Sequence, residues 1–340
     1  MTDREAFLRR AGAGAAGLSF AQLLAPARAL AGGGGGDFPS HPRWRFVFCS
    51  HDTLDPLLVA TQFGAQDAAA LVGCSMQWTG SAKGSAVETA RAVRAAVSRK
   101  ADGIAVSIPD ERVLAPALEE ASRARVPLVA FNVGPVTGRT PYVGENPYAS
   151  GARVGAELAR IVPQGEIVVF APAAPRASAR RRLEGVLGAL ARANRAASVR
   201  TVRLAGDVRR EQHRVESTLA GRAGLRGAVA VDGPGTLALG RALEKRGGHA
   251  VRAGGYDLLP PDMQLVADGV LDFVVDQQPY VQGFTPVLQL FLARISQGTV
   301  LPWDTETSVL LRKADVQAFI RTKSRFEGSS SRHDFPLRPS

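Results

Sequence analysis

Six polar side chains fall where apolar runs of the chain end: Asp52, Asp55, Asn132, Asp232, Asp257 and Gln277. Carboxylates and amides can each bridge two adjacent hydroxyls, and a buried set of them discriminates strongly against ligands lacking the matching groups. That chemistry suits a small polyhydroxylated molecule. Arg182 could add a charge-assisted donor; with Arg180 and Arg181 beside it, a solvated helix face accounts for it equally well. Asn132 and Asp257 have the ordinary alternative of starting turns. His51, beside Asp52 and near Asp55, could be part of a general-base cluster. A polar binding loop is the favoured reading, because no nucleophile or metal set accompanies it.

Catalytic and cofactor signatures are missing from the sequence. There is no Gly-x-x-x-x-Gly-Lys-Ser/Thr loop, no His-Glu-x-x-His, no Gly-x-Ser-x-Gly, and no Gly-x-Gly-x-x-Gly after a strand-like run. No catalytic residue, metal or cofactor is therefore expected. The net charge of +11 comes mostly from scattered Arg, since only five of the 42 basic residues are Lys. No basic stripe with interleaved aromatics marks a nucleic-acid surface.

The elements that must position these side chains alternate along the 340 residues. Strand-like runs are expected at 45–50, 75–79, 103–107, 127–131, 166–170, 199–203, 227–231, 251–255 and 273–276. Helical runs of ten or more residues stand between most of them, for example at 57–72, 86–99, 111–125, 177–193 and 235–245. Continuous apolar strands joined by helical crossovers predict an α/β fold with parallel sheets covered on both faces. Compared with itself at an offset of 125 residues, the chain repeats. Pro109 matches Pro234, Ala117-Leu118-Glu119 matches Ala242-Leu243-Glu244, and Asn132 matches Asp257. Two similar Rossmann-like lobes follow, each with a polar residue at the carboxyl end of a buried strand, where open parallel sheets bind ligands.

Residues 1–31 read as an export signal: Arg4, Arg9 and Arg10, an apolar stretch over 11–24, then small residues at Ala29 and Ala31. Residues 4–9 are similar to a twin-arginine motif with Glu5 in place of the second Arg. A flexible spacer at 32–43 and a disordered tail at 326–340 complete the ends. No later run is long and apolar enough for a membrane span, so a periplasmic or secreted protein is expected. Cys49 and Cys74 are expected to remain buried free thiols. Four residues of stagger between neighbouring strands would hold them roughly 13 Å apart, beyond disulfide reach.

The runs Gly255-Tyr256-Asp257, Asp268-Gly269-Val270-Leu271-Asp272 and Asp276-Gln277-Gln278-Pro279-Tyr280-Val281-Gln282-Gly283 resemble the closing half of the ribose-binding-protein-like periplasmic family. Asp102 to Ser107, Val126 to Asn132, Tyr142-Val143-Gly144 and Arg182-Leu183-Glu184-Gly185 follow that family's order and spacing. The resemblance implies a type I binding protein with a three-segment hinge. Its first lobe would comprise 44–140 and 279–305, and its second 141–278 and 306–325. It further implies a monomer that closes on a sugar or polyol and delivers it to an ABC transporter permease. Asp55 stands at the family's Asn/Asp before Pro, Asn132 and Asp257 at its first- and second-lobe acids, Arg182 near its ligand arginine, and Gln277 at its hinge-side Gln. Two departures stand out: Leu57 and Leu58 replace stacking aromatics, and Val133 replaces an Arg. A stacking platform would then fall to Phe131 or Tyr256. A sensor-kinase ligand module and a secreted hydrolase using His51 are the alternatives; a DNA-binding repressor is disfavoured, because an export signal stands where a helix-turn-helix would.

Overall fold

The computed structural model describes residues 39–134, 140–174, 176–194, 198–205, 208–220, 222–247, 250–322 and 325–328. The expected export signal, the glycine run of the spacer and the last twelve residues of the tail lie outside them. Strands β1 (Arg45–Ser50), β2 (Ser75–Gly80), β3 (Gly103–Val106), β4 (Leu128–Phe131), β5 (Tyr142–Gly144) and β11 (Thr305–Glu306) form one sheet, in the order β11-β5-β4-β3-β1-β2. A second sheet has the order β12-β10-β9-β8-β6-β7. It is built from β6 (Glu166–Pro172), β7 (Val199–Leu204), β8 (Leu225–Ala230), β9 (Arg252–Tyr256), β10 (Phe273–Asp276) and β12 (Val309–Arg312). Both orders read 2-1-3-4-5 plus a return strand. This doubly wound pattern binds ligands beyond the strands' carboxyl ends.

Helices α1 (Leu58–Leu71), α2 (Ala86–Ser98), α3 (Glu111–Arg123) and α9 (Pro279–Ile295) belong to the first lobe. Helices α4 (Pro147–Ile161), α5 (Ala177–Arg192), α6 (Val208–Ala220), α7 (Gly233–Lys245), α8 (Pro260–Ala267) and α10 (Lys313–Thr322) belong to the second. Several start on local caps: Ser85 accepts from the Glu88 N–H, Asp110 from Arg112 and Val113, and Asn146 from Ala149 ahead of Pro147. Such side chains satisfy helix N–H groups that have no intrahelical partner. The helices flanking the hinge pair across glycine. A Cβ on Gly64 would sit 2.0 Å from the Tyr280 carbonyl oxygen, and one on Gly283 1.9 Å from that of Thr61. Between α4 and α5 the same role falls to Gly151 and Gly185, whose Cβ atoms would lie 2.2 and 2.3 Å from the Arg182 and Tyr148 carbonyls. Each lobe is thereby locked, backbone on backbone, where it meets the hinge.

Several expectations need correction. Tyr142–Gly144 pairs with β4 in the first sheet, so the first crossing falls after Gly144 rather than after residue 140. The second crossing lies between β10 and α9. The third follows Glu306, because Thr305 and Glu306 pair with Val143 and Gly144. The sheets are not wholly parallel: β12 runs antiparallel to β10. The spacer is structured at its end, where His41 stacks on Trp44 at 4.7 Å and meets Phe291 edge-on at 5.1 Å. The tail is not loose from residue 326, since Phe326 packs edge-on against Tyr280 at 4.9 Å. Cys49 aligns with Thr79, which puts the stagger to Cys74 at five residues rather than four. Both cysteines are free and buried, and burial raises their thiols to about 12 and about 11.

Candidate functional site

The repeat seen in the sequence is a repeat of backbone. Asn132 follows β4 with φ +59°, and Asp257 follows β9 with φ +72°. Each sends its N–H to the next strand, Asn132 to the Val143 carbonyl at 3.1 Å and Asp257 to that of Val275 at 2.9 Å. The left-handed conformation is one that Asn and Asp tolerate better than other L-residues, and it turns both side chains away from the strand direction.

Asp257 is half-buried. Its Oδ1 accepts from Gln277 Nε2 at 2.5 Å. A Cβ on Gly233 would sit 2.5 Å from its Oδ2, so glycine leaves room for the carboxylate beside the amino end of α7, where helix dipoles favour negative charge. Removal from water pushes Asp257 up to about 6, against the pull of Arg182 and of the Gln277 hydrogen bond; the charges of Glu145 and Asp55 add to the rise. Asp55 lies in the first lobe, so its field on Asp257 crosses the cleft. The lobes are drawn together there: a Cβ on Gly84 of the first lobe would lie 3.5 Å from Arg176 Nη2 of the second.

Arg182 is buried, and a solvated helix face is thereby excluded. Its Nε donates to Glu145 Oε1 at 3.0 Å, its Nη2 to Glu145 Oε2, and its Nη1 to the Val231 carbonyl at 3.3 Å. Its guanidinium carbon stands 4.1 Å from the centroid of Tyr256, whose hydroxyl meets Ser150 Oγ at 3.0 Å. Burial alone would lower Arg182, but the charge and hydrogen bonds of Glu145 hold it above its ordinary value. The guanidinium is thus engaged by protein groups on three sides and braces the pocket from behind.

Asn132 Nδ2 donates to Gln282 Oε1 at 3.0 Å. Gln282, fully buried in the first turns of α9, donates to the Gln277 carbonyl at 2.8 Å and to Thr307 Oγ1 at 3.2 Å. Thr307 Oγ1 also donates to the Gln277 carbonyl, at 2.7 Å. One amide therefore ties the first-lobe candidate to two of the three hinge crossings. Glu145, Gln282, Thr307 and Arg176 are functional-site neighbours that sequence reasoning did not single out. Glu145 follows the quoted Tyr142-Val143-Gly144 run, and Gln282 lies inside the quoted hinge run, so position alone could have flagged both.

The remaining candidates divide by role. Asp55 Oδ1 accepts from the Leu57 N–H at 2.9 Å and opens α1, and Asp52 Oδ1 accepts from Leu54 at 3.1 Å. Asp232 caps α7 through the Gly235 N–H at 3.2 Å. Leu57 is half-buried, whereas Leu58 is fully buried as the first core residue of α1 and forms no wall of the cleft. Phe131 and Tyr256 are fully buried in core clusters, so neither offers a stacking platform. The backbone N–H of His51 donates to Ser107 Oγ at 2.6 Å, and its ring Nδ1 lies 3.1 Å from the same oxygen, stitching β1 to β3. Burial, then Arg176, lowers His51 against the charges of Asp55 and Asp52. A wide concavity of about 1630 Å³ sits at the opposite, amino ends of β1, β4 and β5, beside Trp44, Leu128 and Pro141, and no candidate residue lines it.

Three carboxyls of the second lobe share one electrostatic sign. Burial raises Asp257 to about 6, and Asp262 and Asp276 to about 7. The native chain then holds protons that the unfolded chain has shed, so their stabilisation is complete below about pH 4 and is lost as pH rises through 6 to 7. His51, lowered by burial, acts oppositely and weakens the fold as pH falls below about 6.5. Three groups outweigh one. The melting temperature is expected to be higher at pH 5 than at pH 8 by about 3 °C or more, the equivalent of roughly 1 kcal/mol in a chain of this size; calorimetry across that range checks it.

Known proteins share this architecture. The xylose/arabinose-binding protein XylF of Sulfolobus acidocaldarius is 35% identical over 315 residues, covering 87% of this chain and 77% of its own. A solute-binding protein of an ABC transporter from Burkholderia graminis, crystallised with D-arabinose, superposes with a TM-score of 0.71 at 21% identity, over 81% of this chain and 97% of that one. A carbohydrate transporter protein from Acidothermus cellulolyticus 11B, in complex with myo-inositol, gives 0.69 at 23% identity, over 82% and 98%. The two structures share the fold, two lobes of mostly parallel sheet covered by helices. The model of the periplasmic binding protein domain matches residues 46–294, and with XylF's similarity along most of both chains, the protein belongs to the periplasmic binding protein family.

Proposed function

We propose that the chain is an extracytoplasmic solute-binding protein that captures a sugar or related polyol between its lobes and delivers it, as a monomer and without turnover, to an ABC transporter permease. The observation that carries this reading is the matched pair Asn132 and Asp257. They sit at equivalent strand ends of two lobes, in a chain 35% identical to a xylose/arabinose-binding protein. Asp257 and Gln277 would hold hydroxyls from the second lobe, and Asn132, Asp55 and Asp52 from the first. Leu57 would cover an apolar edge, and Arg182 would act behind Asp257 through Glu145 and its own charge. Asp232 would contribute by fixing the amino end of α7 beside Asp257. Export by the N-terminal segment fits the same role.

A thermal-shift series with D-xylose, L-arabinose and myo-inositol tests the proposal. A ligand that binds only the folded state stabilises it by RT ln(1 + [L]/Kd), about 2.7 kcal/mol at a hundredfold excess over Kd. At least one of these compounds, or a close stereoisomer, is expected to raise the melting temperature in a saturable manner. A flat response to a full panel of pentoses, hexoses and cyclitols at millimolar concentration would sink it.

A further inference from the structure

Beyond the three hinge crossings, the chain passes between the lobes once more. Helix α10 belongs to the second lobe, where Val316 is fully buried with Leu258, Met263, Val266 and Leu271. Residues 325–328 lie on the first. Arg325, buried, donates from Nε and Nη2 to Asp67 of α1 at 3.1 and 2.9 Å, and its guanidinium carbon stands 4.2 Å from the Phe63 ring centroid. Tyr280 of α9 donates its hydroxyl to the same Asp67 at 2.9 Å and receives Phe326 edge-on. A Cβ on Gly328 would lie 3.2 Å from the Ala60 nitrogen and 3.4 Å from Val59 Cβ. This is the first turn of α1, whose Leu58 N–H bonds to the Asp55 carbonyl. Buried Glu327 lies close enough to Asp276, at the end of β10, for its charge to act there.

From Thr322, the end of α10, to Arg325 is three Cα steps, a reach of at most about 11 Å. A connection so short limits how far α1 can move from the second lobe while Arg325 stays on Asp67. We propose that Arg325–Gly328 is a strap that holds the lobes in the closed arrangement and must release Asp67 and Tyr280 before they part. It crosses beside the second hinge segment and braces the turn that carries Asp55, so it acts on the ligand-free equilibrium between open and closed forms. The inference stands on the contacts of the strap alone, independent of which ligand the cleft takes.

The test therefore uses no ligand. Spin labels on Lys83→Cys and Arg180→Cys, both exposed and on opposite lobes, report the interlobe distance by pulsed electron resonance in the full chain; the buried native thiols stay unlabelled. In Arg325→Ala, and in a chain ended after Lys323, the weight of the longer distance is expected to rise about tenfold, the change one charge-assisted hydrogen bond produces in a two-state equilibrium. The exchanged pair Asp67→Arg with Arg325→Asp is expected to restore the short distance. Phe326→Ala, which removes the edge-on contact with Tyr280 and leaves the Arg325–Asp67 pair in place, guards against misfolding and should shift the distance in the same sense by less. Distance distributions that superpose on wild type in Arg325→Ala and Phe326→Ala, with unchanged circular dichroism, would overturn the strap.

Discussion

Arg182→Met is expected to lower the melting temperature by about 10 °C. The substitution keeps a side chain of similar length, so the loss comes from charge and hydrogen bonding rather than from a void. Glu145, 2% exposed, would be left with its carboxylate buried beside Ser150 and without its cation. Breaking a buried pair by removing one partner costs about 3–5 kcal/mol, and in a chain of this size each kcal/mol moves the melting temperature by about 2–4 °C. The Val231 carbonyl and the face of Tyr256 lose their partner at the same time. Adding Glu145→Gln to Arg182→Met removes the stranded charge and should recover most of the loss. A single variant within about 0.5 kcal/mol of wild type by chemical denaturation would show that the pair is already screened by water.

Asp257→Ala should leave the fold standing and remove most of the binding. The carboxylate is half-buried, its proton affinity is already raised, and Gln277 is held against it at 2.5 Å. Loss of a desolvated charged acceptor costs about 1.5–3 kcal/mol or more, so affinity for the sugar that gives the largest thermal shift should fall about ten- to a hundredfold by calorimetric titration. Because the native fold holds this group against a raised pKa, its removal should not lower stability at pH 8. Undiminished affinity in a folded variant would move the site away from the second-lobe strand ends.

The elements legible in the sequence are those long enough to show a period. Strands β1–β4 and β6–β10, and helices α1–α3, α5 and α7, each span at least four residues with β-rich or helix-like patterning. Strand β5 has three residues and β11 two. Neither can display alternation, so the crossings that depend on them were displaced by a few residues. Strand β12 is half-buried and antiparallel at a sheet edge, which no crossover length announces. Within the site, Asn132 and Asp257 were visible because the repeat aligned them. Arg182 was ambiguous because three consecutive arginines look alike in a sequence, whereas on a helix successive side chains point about 100° apart. Arg181 reaches the surface and pairs with Glu184, and Arg182 turns inward to Glu145. Gln282 stands in a run that marks its position but not its role. Its role arises only when α9 returns to the first lobe and places its amide among three separate segments. The tail escaped notice for a related reason, since its anchors Asp67 and Tyr280 lie more than forty residues away along the chain.

The left-handed backbone at residues 132 and 257 places function and robustness in competition. An L-residue there carries strain that glycine would relieve, and strain of this kind persists at working sites because the surroundings enforce it. Any campaign to toughen the protein, by heat selection or by replacing strained positions, is drawn toward glycine at these two places. A variant that accepted both would outlast its parent and hold no ligand, since the side chains proposed to grip it would be gone. Engineering this scaffold as a durable sensor therefore begins by freezing that pair and looking for stability on surfaces remote from the cleft.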